Sequence, residues 1–303
     1  MPGKSSLNDG SPLAVKLSVI IVSFNQFALL KAAIDSLKRN PPSFNYEIIV
    51  VDNHSNEDVQ EYLNDFFWDI RIIRNPVNHG FGWANNRGVQ AARGEYLLFL
   101  NNDTEIIGTA VDAMLQVMEK DSGIGALGPM LLNTDGSFQL SYGFKISLFA
   151  ELYQKTMARL LGKWKNSRRR SGGILKKTAW VSGACLLTRK DLFEKEPPFD
   201  ENIFLYFEDH DLCLRVWAMR KKVVYYSGAR VVHHGGQSVG SWPGAVLEYR
   251  KSQLYLYRKH LAHWQSVLLR YYLACKFQRK LRRANDDSEK QGAAAILKLL
   301  KEK

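Results

Sequence analysis

LSVIIVSF, residues 17–24, decides the fold. An unbroken apolar run of this length suits a strand buried on both faces of a parallel sheet, where a half-exposed strand would alternate. Working outward, the same rhythm repeats. Residues 26–39 predict a helix stopped by Pro41-Pro42, YEIIVVD (46–52) a second strand, and 57–68 a second helix. IRIIRN (70–75) predicts a third strand closed by Pro76, 81–92 a third helix, and EYLLFLNND (95–103) a fourth strand with a polar end. Strand–helix alternation with short links predicts an α/β chain with a Rossmann-like, doubly wound, mostly parallel central sheet. Ligands of such sheets bind at the carboxyl ends of the strands. Those ends read Ser23-Phe24-Asn25, Asp52-Asn53-His54-Ser55, Asn75 to Gly80 and Asn101-Asn102-Asp103. Every one is polar, and that agreement locates a site.

Beyond Asp103 the rhythm changes. Residues 108–120 read as a helix, IGALGPMLL (124–132) and AWVSGACLLTR (179–189) as strands, and Asp135-Gly136 as a turn. A basic, helix-prone insertion spans about 145–177, and VVYYSGARVVHHGG (223–236) is β-rich with a glycine-rich end. From Ala245 to about Lys280 a long amphipathic helix or helix pair is expected. Leu254, Tyr257, Leu261, Trp264, Leu268, Tyr271 and Cys275 recur there in steps of three and four. Residues 285–295 read as a flexible link to a last short helix.

Composition bounds the class. At 303 residues and 46% hydrophobic the chain can bury a full core, and no run of 18 apolar residues suggests a membrane span. Cys185, Cys213 and Cys275 form neither a disulfide framework nor a metal knuckle, which with the absence of a signal-like start points to the cytosol. The net charge of +12 is concentrated in two segments. Residues 155–177 hold nine Lys/Arg and no acid, and 245–283 hold ten against Glu248 alone. Such patches suit an anionic surface, either phospholipid or nucleic acid, or simply two solvated helix faces. No common nucleic-acid-reading motif accompanies them, so nucleic acid is not the expected partner.

Four constellations could carry chemistry. Asp103, a carboxylate at a strand end, suits a hard cation that also binds a diphosphate, or equally a turn or cap. Gly80-Phe81-Gly82-Trp83-Ala84-Asn85 nearly spells a dinucleotide fingerprint, but it lacks the third glycine and follows the third strand. A nicotinamide oxidoreductase is therefore only the runner-up. Glu208-Asp209-His210-Asp211 is the densest acidic cluster and sits in apolar sequence, where a carboxylate can serve as a general base. Asp211 and Arg215, four apart, can pair on a helix. Of His233 and His234, adjacent on a strand, at most one can face a given site.

Taken together, the chain resembles family 2 glycosyltransferases with the GT-A fold, in particular their rhamnosyltransferase-like branch. The resemblance rests on SVIIVSFN (18–25), VVDNHSNE (50–57), NHGFGWANNRG (78–88), YLLFLNND (96–103), VSGACLLTR (181–189), FDENIFLYFEDHDLCLR (199–215) and VVHHGGQS (231–238), in the family's order over roughly residues 16–240. It implies that 16–105 form the nucleotide-sugar-binding half of one domain. Residues 106–244 would be the acceptor-binding, catalytic half, and 245–303 a basic amphipathic helical extension. It further implies that Ser23, Asn25, Asp52, Asn53 and Ser55 line base and ribose, with Asn78, Gly80, Asn85, Asn86 and Asn102 near the nucleotide sugar. Asp103 matches the last acid of the family's D-x-D and His233 its metal histidine, for Mg²⁺ or Mn²⁺; the first acid of that motif is Asn101 here. Asp209 matches the catalytic base, with Glu208, Asp211 and Gly183 as acceptor-side or supporting residues.

The activity so implied is inverting, metal-assisted transfer of a sugar to a hydroxyl of a glycan or lipid-linked glycan. Rhamnose from a dTDP donor is favoured, with UDP-linked hexoses as the alternative. The basic amphipathic helix, with Trp264, Tyr271 and Tyr272, would then rest in the headgroups of an anionic membrane on its cytoplasmic face. Packing on the catalytic domain or a homodimer seam is the competing use of that stripe.

Overall fold

Burial on both faces is what the opening run obtains. In the computed structural model, which describes residues 14–64, 70–147, 150, 173–235, 244–284 and 286–302, all seven residues of β1 (Leu17–Ser23) are buried. β1 pairs in parallel with β2 (Tyr46–Asp52) and with β4 (Tyr96–Asn101), and β2 pairs in parallel with β3 (Arg71–Arg74). The register sets Ser23 beside Asp52 and Val22 beside Asn101, so the polar strand ends fall in one row. The pleat sends Val19 and Ile21 to one face and Ile20 and Val22 to the other. The first pair packs with α1 (Phe27–Arg39), α2 (Val59–Asn64) and α4 (Ala110–Lys120), through Leu30, Ile34, Val59, Met114 and Met118. The second packs with α3 (Phe81–Ala91) and α5 (Glu208–Ala218), through Ala84, Leu212 and Val216.

The second half of the sheet is mixed. β11 (Cys185–Arg189) runs antiparallel to both β4 and β6 (Ile124–Leu132), while β12 (Lys222–His233) runs parallel to β6. β5 (Thr104–Ile106) closes the far edge against β12, giving the order β3-β2-β1-β4-β11-β6-β12-β5 among the described residues. β7 (Phe138–Gln139) adds to β6 and β9 (Leu175–Lys177) to β12. β8 (Tyr142–Gly143) and β10 (Trp180–Val181) make a separate two-stranded ladder.

Several expectations change here. The strand expected over 179–189 is broken at Ser182-Gly183-Ala184, and the one expected to reach residue 103 ends at Asn101. The end of the basic insertion is a strand, β9, and most of its length (151–172) lies outside the described residues. Residues 65–68 of the second expected helix and Gly236 lie outside them too.

The C-terminal region is three helices, α6 (Ala245–His260), α7 (His263–Arg283) and α8 (Asp287–Leu299). They share an apolar cluster of Leu256, Tyr257, Leu269, Leu273, Phe277 and Ile296, joined by Phe207 from the body. The link expected over 285–295 is mostly helix, because the Asp286 side chain accepts from the Glu289 amide and caps α8. The stripe from Leu254 to Cys275 is likewise not one seam. The helix breaks at Leu261-Ala262 and its phase resets, so α7 buries Leu269, Leu273 and Phe277 and leaves Trp264, Val267, Leu268 and Tyr271 exposed.

The helices are tied to the body by a buried network. Asp211, fully buried, meets Arg215 Nε at 3.0 Å, Lys259 Nζ at 2.8 Å and His260 Nε2 at 2.6 Å. Burial opposes its ionisation, but the hydrogen bonds from His260 and Lys259 and the charges of Arg215 and Lys259 hold its carboxyl below the usual range. Ser252 Oγ donates to Leu205 O at 2.7 Å. No helix among the described residues is long and apolar enough to cross a membrane.

Candidate active site

At the carboxyl edge of the sheet a cavity of about 600 Å³ opens between the two halves of the fold. Its walls include Phe24, Asn53, Asn78, Gly80, Asn101 and Asn102 from the first half, and Gly183, Tyr206, Glu208, Asp209 and His233 from the second. Their positions follow from local chemistry. Asn78 Oδ1 accepts from Asn53 Nδ2 at 2.8 Å and from the Gly80 amide at 2.9 Å, tightening the turn before α3. Gly80 has φ +99°, and a Cβ there would stand 2.2 Å from Phe204 O. Only glycine lets α3 begin this close to the 204–207 loop.

Beside the cavity, Asp52 is buried, accepts from the Ser55 amide at 3.0 Å and faces Arg74 Nε at 3.5 Å. Ser55 Oγ accepts from the Asn25 amide at 2.9 Å. The buried Ser23 Oγ and Asn101 Oδ1 have no hydrogen-bond partner among the described residues. Each such group costs roughly 1–3 kcal/mol unless a bound molecule satisfies it, so this edge is built for a polar ligand.

Asp103 and His233 are brought together by β5 and β12, whose register places His233 opposite Thr104. His233 Nε2 lies 3.3 Å from Asp103 Oδ1, and Asp103 is buried. The ring is fixed from behind by Gln139 Oε1, 2.6 Å from Nδ1. Gln139 Nε2 donates to Asn133 Oδ1 at 3.1 Å, so Oε1 is the atom facing the histidine and Nδ1 carries the hydrogen. Nε2 is thereby aimed at Asp103. A carboxylate and an imidazole are donor types that fit Mg²⁺ or Mn²⁺. No group of three or more His, Cys, Asp or Glu gathers for a metal among the described residues. His234 points elsewhere, to Glu105 at 2.8 Å.

On the opposite wall, Tyr206 and Phe207 both adopt left-handed backbone (φ 68° and 69°), rare for aromatic residues, and launch α5 at Glu208. Asp209 Oδ2 accepts from the Gly183 amide at 2.9 Å, and Oδ1 meets His210 Nδ1 at 2.7 Å. Burial opposes its ionisation, but His210 and the amides of Gly183 and His210 outweigh it and hold the carboxyl below its usual range. Glu208 is the converse. Burial, reinforced by the Asp209 charge, pushes its carboxyl up to about 8, and Oε2 has no hydrogen-bond partner among the described residues. Two adjacent carboxyls thus sit in opposite states near neutral pH, one ionised and one protonated.

The expected residues sort by position. Asn53, Asn78, Gly80, Asn102, Gly183, Glu208, Asp209 and His233 line the cavity. Ser23, Asn25, Asp52, Ser55 and Asp103 stand at its margin on the same strand ends. Asn85 and Asn86 do not line it. Asn85 donates to Phe81 O, and Asn86 clamps Phe199 and Glu201, because helical spacing turns both toward the body. Asp211 also points away, into the helical network described above. Gln139, Ser182 and Tyr206 escaped the sequence reading, and His210 was named there only as a member of the acidic cluster, without a role of its own. Nothing in their spacing marks them; the left-handed turn and the β6–β7 hairpin bring them in.

Comparison with known proteins agrees with this architecture. The model of the family described as "Glycosyl transferase family 2" matches residues 18–196. The N-acetylglucosaminyl-diphospho-decaprenol L-rhamnosyltransferase of Mycobacterium tuberculosis is 27% identical over 243 residues, 73% of this chain and 78% of that protein. Among solved structures, GalNAc-T7 with UDP, GalNAc and Mn²⁺ superposes with a TM-score of 0.56 at 17% identity, over 75% of this chain but only 44% of that one. The mannosyltransferase PcManGT of Pyrobaculum calidifontis, with GDP-Man and Mn²⁺, gives 0.54 at 13% identity over 96% and 73% of the two chains. At such identity the two structures establish a shared fold, that of GT-A glycosyltransferases.

Proposed function

The chain belongs to glycosyl transferase family 2, and from that premise we propose that it moves a sugar, by inverting displacement, from a nucleotide diphosphate to a hydroxyl of a lipid-linked glycan. The observation that carries this reading is that His233, which lies 3.3 Å from the buried Asp103, lines the same cavity on the strand ends as Glu208 and Asp209. Residues 16–105 would supply the donor half, with Asp52 and Ser55 toward base and ribose and Asn78 and Gly80 toward the sugar. Asp103 and His233 would hold a divalent cation, which when bound neutralises charge growing on the leaving diphosphate.

Asp209 supplies the base. Gly183 and His210 hold its carboxylate in one orientation and keep it ionised, and its remaining lone-pair capacity is available to an acceptor hydroxyl. As that oxygen bonds to the anomeric carbon, the bond to the diphosphate oxygen breaks, the proton passes to Asp209 and the nucleoside diphosphate leaves. A single displacement inverts the centre and needs no second carboxylate as nucleophile. Asp209→Asn is expected to cut transfer by roughly 10²–10⁴-fold while leaving donor binding in place. Retained turnover in that variant removes Asp209 from the role.

Rhamnose from a dTDP donor is the favoured substrate, on the likeness to the mycobacterial rhamnosyltransferase; a UDP-hexose is the alternative. Hydrolysis screened over dTDP, UDP and GDP sugars, with Mg²⁺ and with Mn²⁺, separates them. A peripheral seat on the cytoplasmic face of a membrane fits the same acceptor. Val267, Leu268 and Tyr271 form an exposed apolar face on α7, and the turns that follow expose Lys276, Arg279, Lys280, Arg282 and Arg283.

A further inference from the structure

One face of α6 turns toward the segment that launches the base. Tyr249, Ser252, Tyr255 and Lys259 recur there in steps of three and four, so they share a side of the helix. Lys259 Nζ bridges Asp200 Oδ2 at 2.5 Å and Asp211 Oδ1 at 2.8 Å. The Tyr255 hydroxyl donates to the same Asp200 oxygen at 2.8 Å, and Ser252 Oγ donates to Leu205 O at 2.7 Å. The centre of the Tyr249 ring lies 5.5 Å from that of Tyr206 and 4.8 Å from that of Phe207. We infer that this face of α6 is a positioning element for sugar transfer, with Lys259 at its centre: it fixes the turn that aims Asp209 and itself touches no substrate. The inference rests on the glycosyl-transfer reading.

Three observations support it. The first is that Lys259 joins the two ends of one segment, Asp200 before the turn and Asp211 after it. Asp200 Oδ1 accepts from the amide and the side chain of Asn202, at 2.9 and 2.8 Å, which orients Oδ2 toward α6. Burial opposes the charge on Lys259, but the two carboxylates outweigh it and hold the ammonium above its usual range. Asp209 and Asp211 stand about 200° apart around α5. The grip therefore falls behind the helix while the base faces the cavity.

The second is the backbone in between. The left-handed pair Tyr206-Phe207 is a conformation that aromatic residues keep only where their surroundings impose it. α6 reaches the chain at that place, with the Ser252 bond one residue before the pair and the Tyr249 ring against both of its side chains. The first half of the fold holds the neighbouring Phe204, whose O accepts from the Phe81 amide at 2.9 Å. The third observation is the kind of contact. Buried ion pairs add little net stability over an apolar contact of the same volume, but their directions decide which atoms meet. α6 already has an apolar attachment, since Leu256 and Tyr257 share a cluster with Phe207. What the polar face adds to that tether is geometry.

The test uses the full chain and the donor found by hydrolysis screening. It compares Lys259→Met and Ser252→Ala with Met118→Ala, a buried change on the α4 face of the sheet that lowers stability away from this contact. All are assayed well below their urea midpoints, so that only folded protein is read. Lys259→Met is expected to cut kcat about tenfold or more, and Ser252→Ala about threefold or more, with the donor KM moved less than about twofold. Met118→Ala should lower the urea midpoint and leave kcat in place. A kcat within about twofold of the unaltered protein in both α6 variants overturns the inference. So does an equal fall of kcat in Met118→Ala at equal loss of stability. If Lys259→Met does not fold, Ser252→Ala decides alone by the same criterion. Absence of donor turnover in the unaltered protein strikes the glycosyl-transfer reading instead. Hydrogen exchange then decides the role of α6: exchange of the 204–209 amides faster in the α6 variants than in Met118→Ala supports it, and equal exchange overturns it.

Discussion

Replacing Glu208 by Gln tests the opposed charge states of the carboxyl pair. The glutamine is nearly isosteric and neutral at every pH, so it mimics the protonated glutamic acid of the folded chain. Burial and the neighbouring Asp209 raise the Glu208 carboxyl from 4.5 to about 8. The folded chain therefore keeps a proton that the unfolded chain releases, and this contribution to stability is complete below pH 4.5. It declines as pH rises toward 8 and is gone above it. At about 1.4 kcal/mol per tenfold, that displacement corresponds to on the order of 5 kcal/mol. Urea unfolding of both proteins at pH 5, 7 and 9 reads the difference directly, since all other titrating groups are shared and cancel. The Gln variant should gain relative stability steadily from pH 5 to pH 9. Parallel stability–pH curves, with a constant gap between the two proteins, refute a buried protonated Glu208. Activity should follow: ionisation of Glu208 above about pH 8 sets a second negative charge beside the base, and the Gln variant should lack that alkaline change.

The remaining predictions concern the other walls of the site and the helical region. His233→Ala and Asp103→Ala should each weaken Mn²⁺ binding, read by electron paramagnetic resonance in the presence of nucleoside diphosphate, by roughly 10–100-fold. Gln139→Leu should do the same more mildly, since the imidazole then loses the acceptor that fixes its tautomer. Gly80→Ala should destabilise the fold by on the order of 2 kcal/mol or more, seen as a lower urea midpoint, because φ is positive and the new Cβ meets the Phe204 carbonyl. Leu268→Ser with Tyr271→Ser should reduce flotation with phosphatidylglycerol vesicles at least about tenfold while the melting temperature holds, since both side chains are exposed. Unchanged flotation places that face elsewhere than a bilayer.

Much of the first half of the sheet was legible because its signals are local. A strand buried on both faces must be apolar throughout, and β1, β2 and β4 announce themselves in this way. Their polar ends stand in one row because parallel pairing sets them in register. Asn85 and Asn86 misled for a related reason: a polar residue near a strand end resembles a ligand contact until the helix phase is known, and here that phase spends both amides on backbone and loop. The amphipathic stripe misled in the same way, since a periodicity carried across Leu261-Ala262 loses its meaning once the helix breaks.

The sequence by itself determined the alternation of strands and helices, the row of polar strand ends, and Asp103, Asp209 and His233 as chemically able groups, because each is written in neighbouring residues. Only the tertiary structure decided which carboxyl of the 208–209 pair is pushed up, that Gln139 orients His233, and that α6 locks onto Asp211 while α7 leaves one apolar face to solvent. Those outcomes depend on burial and on distances between segments tens to more than a hundred residues apart. Desolvation and hydrogen bonding act through space, and no local pattern records them.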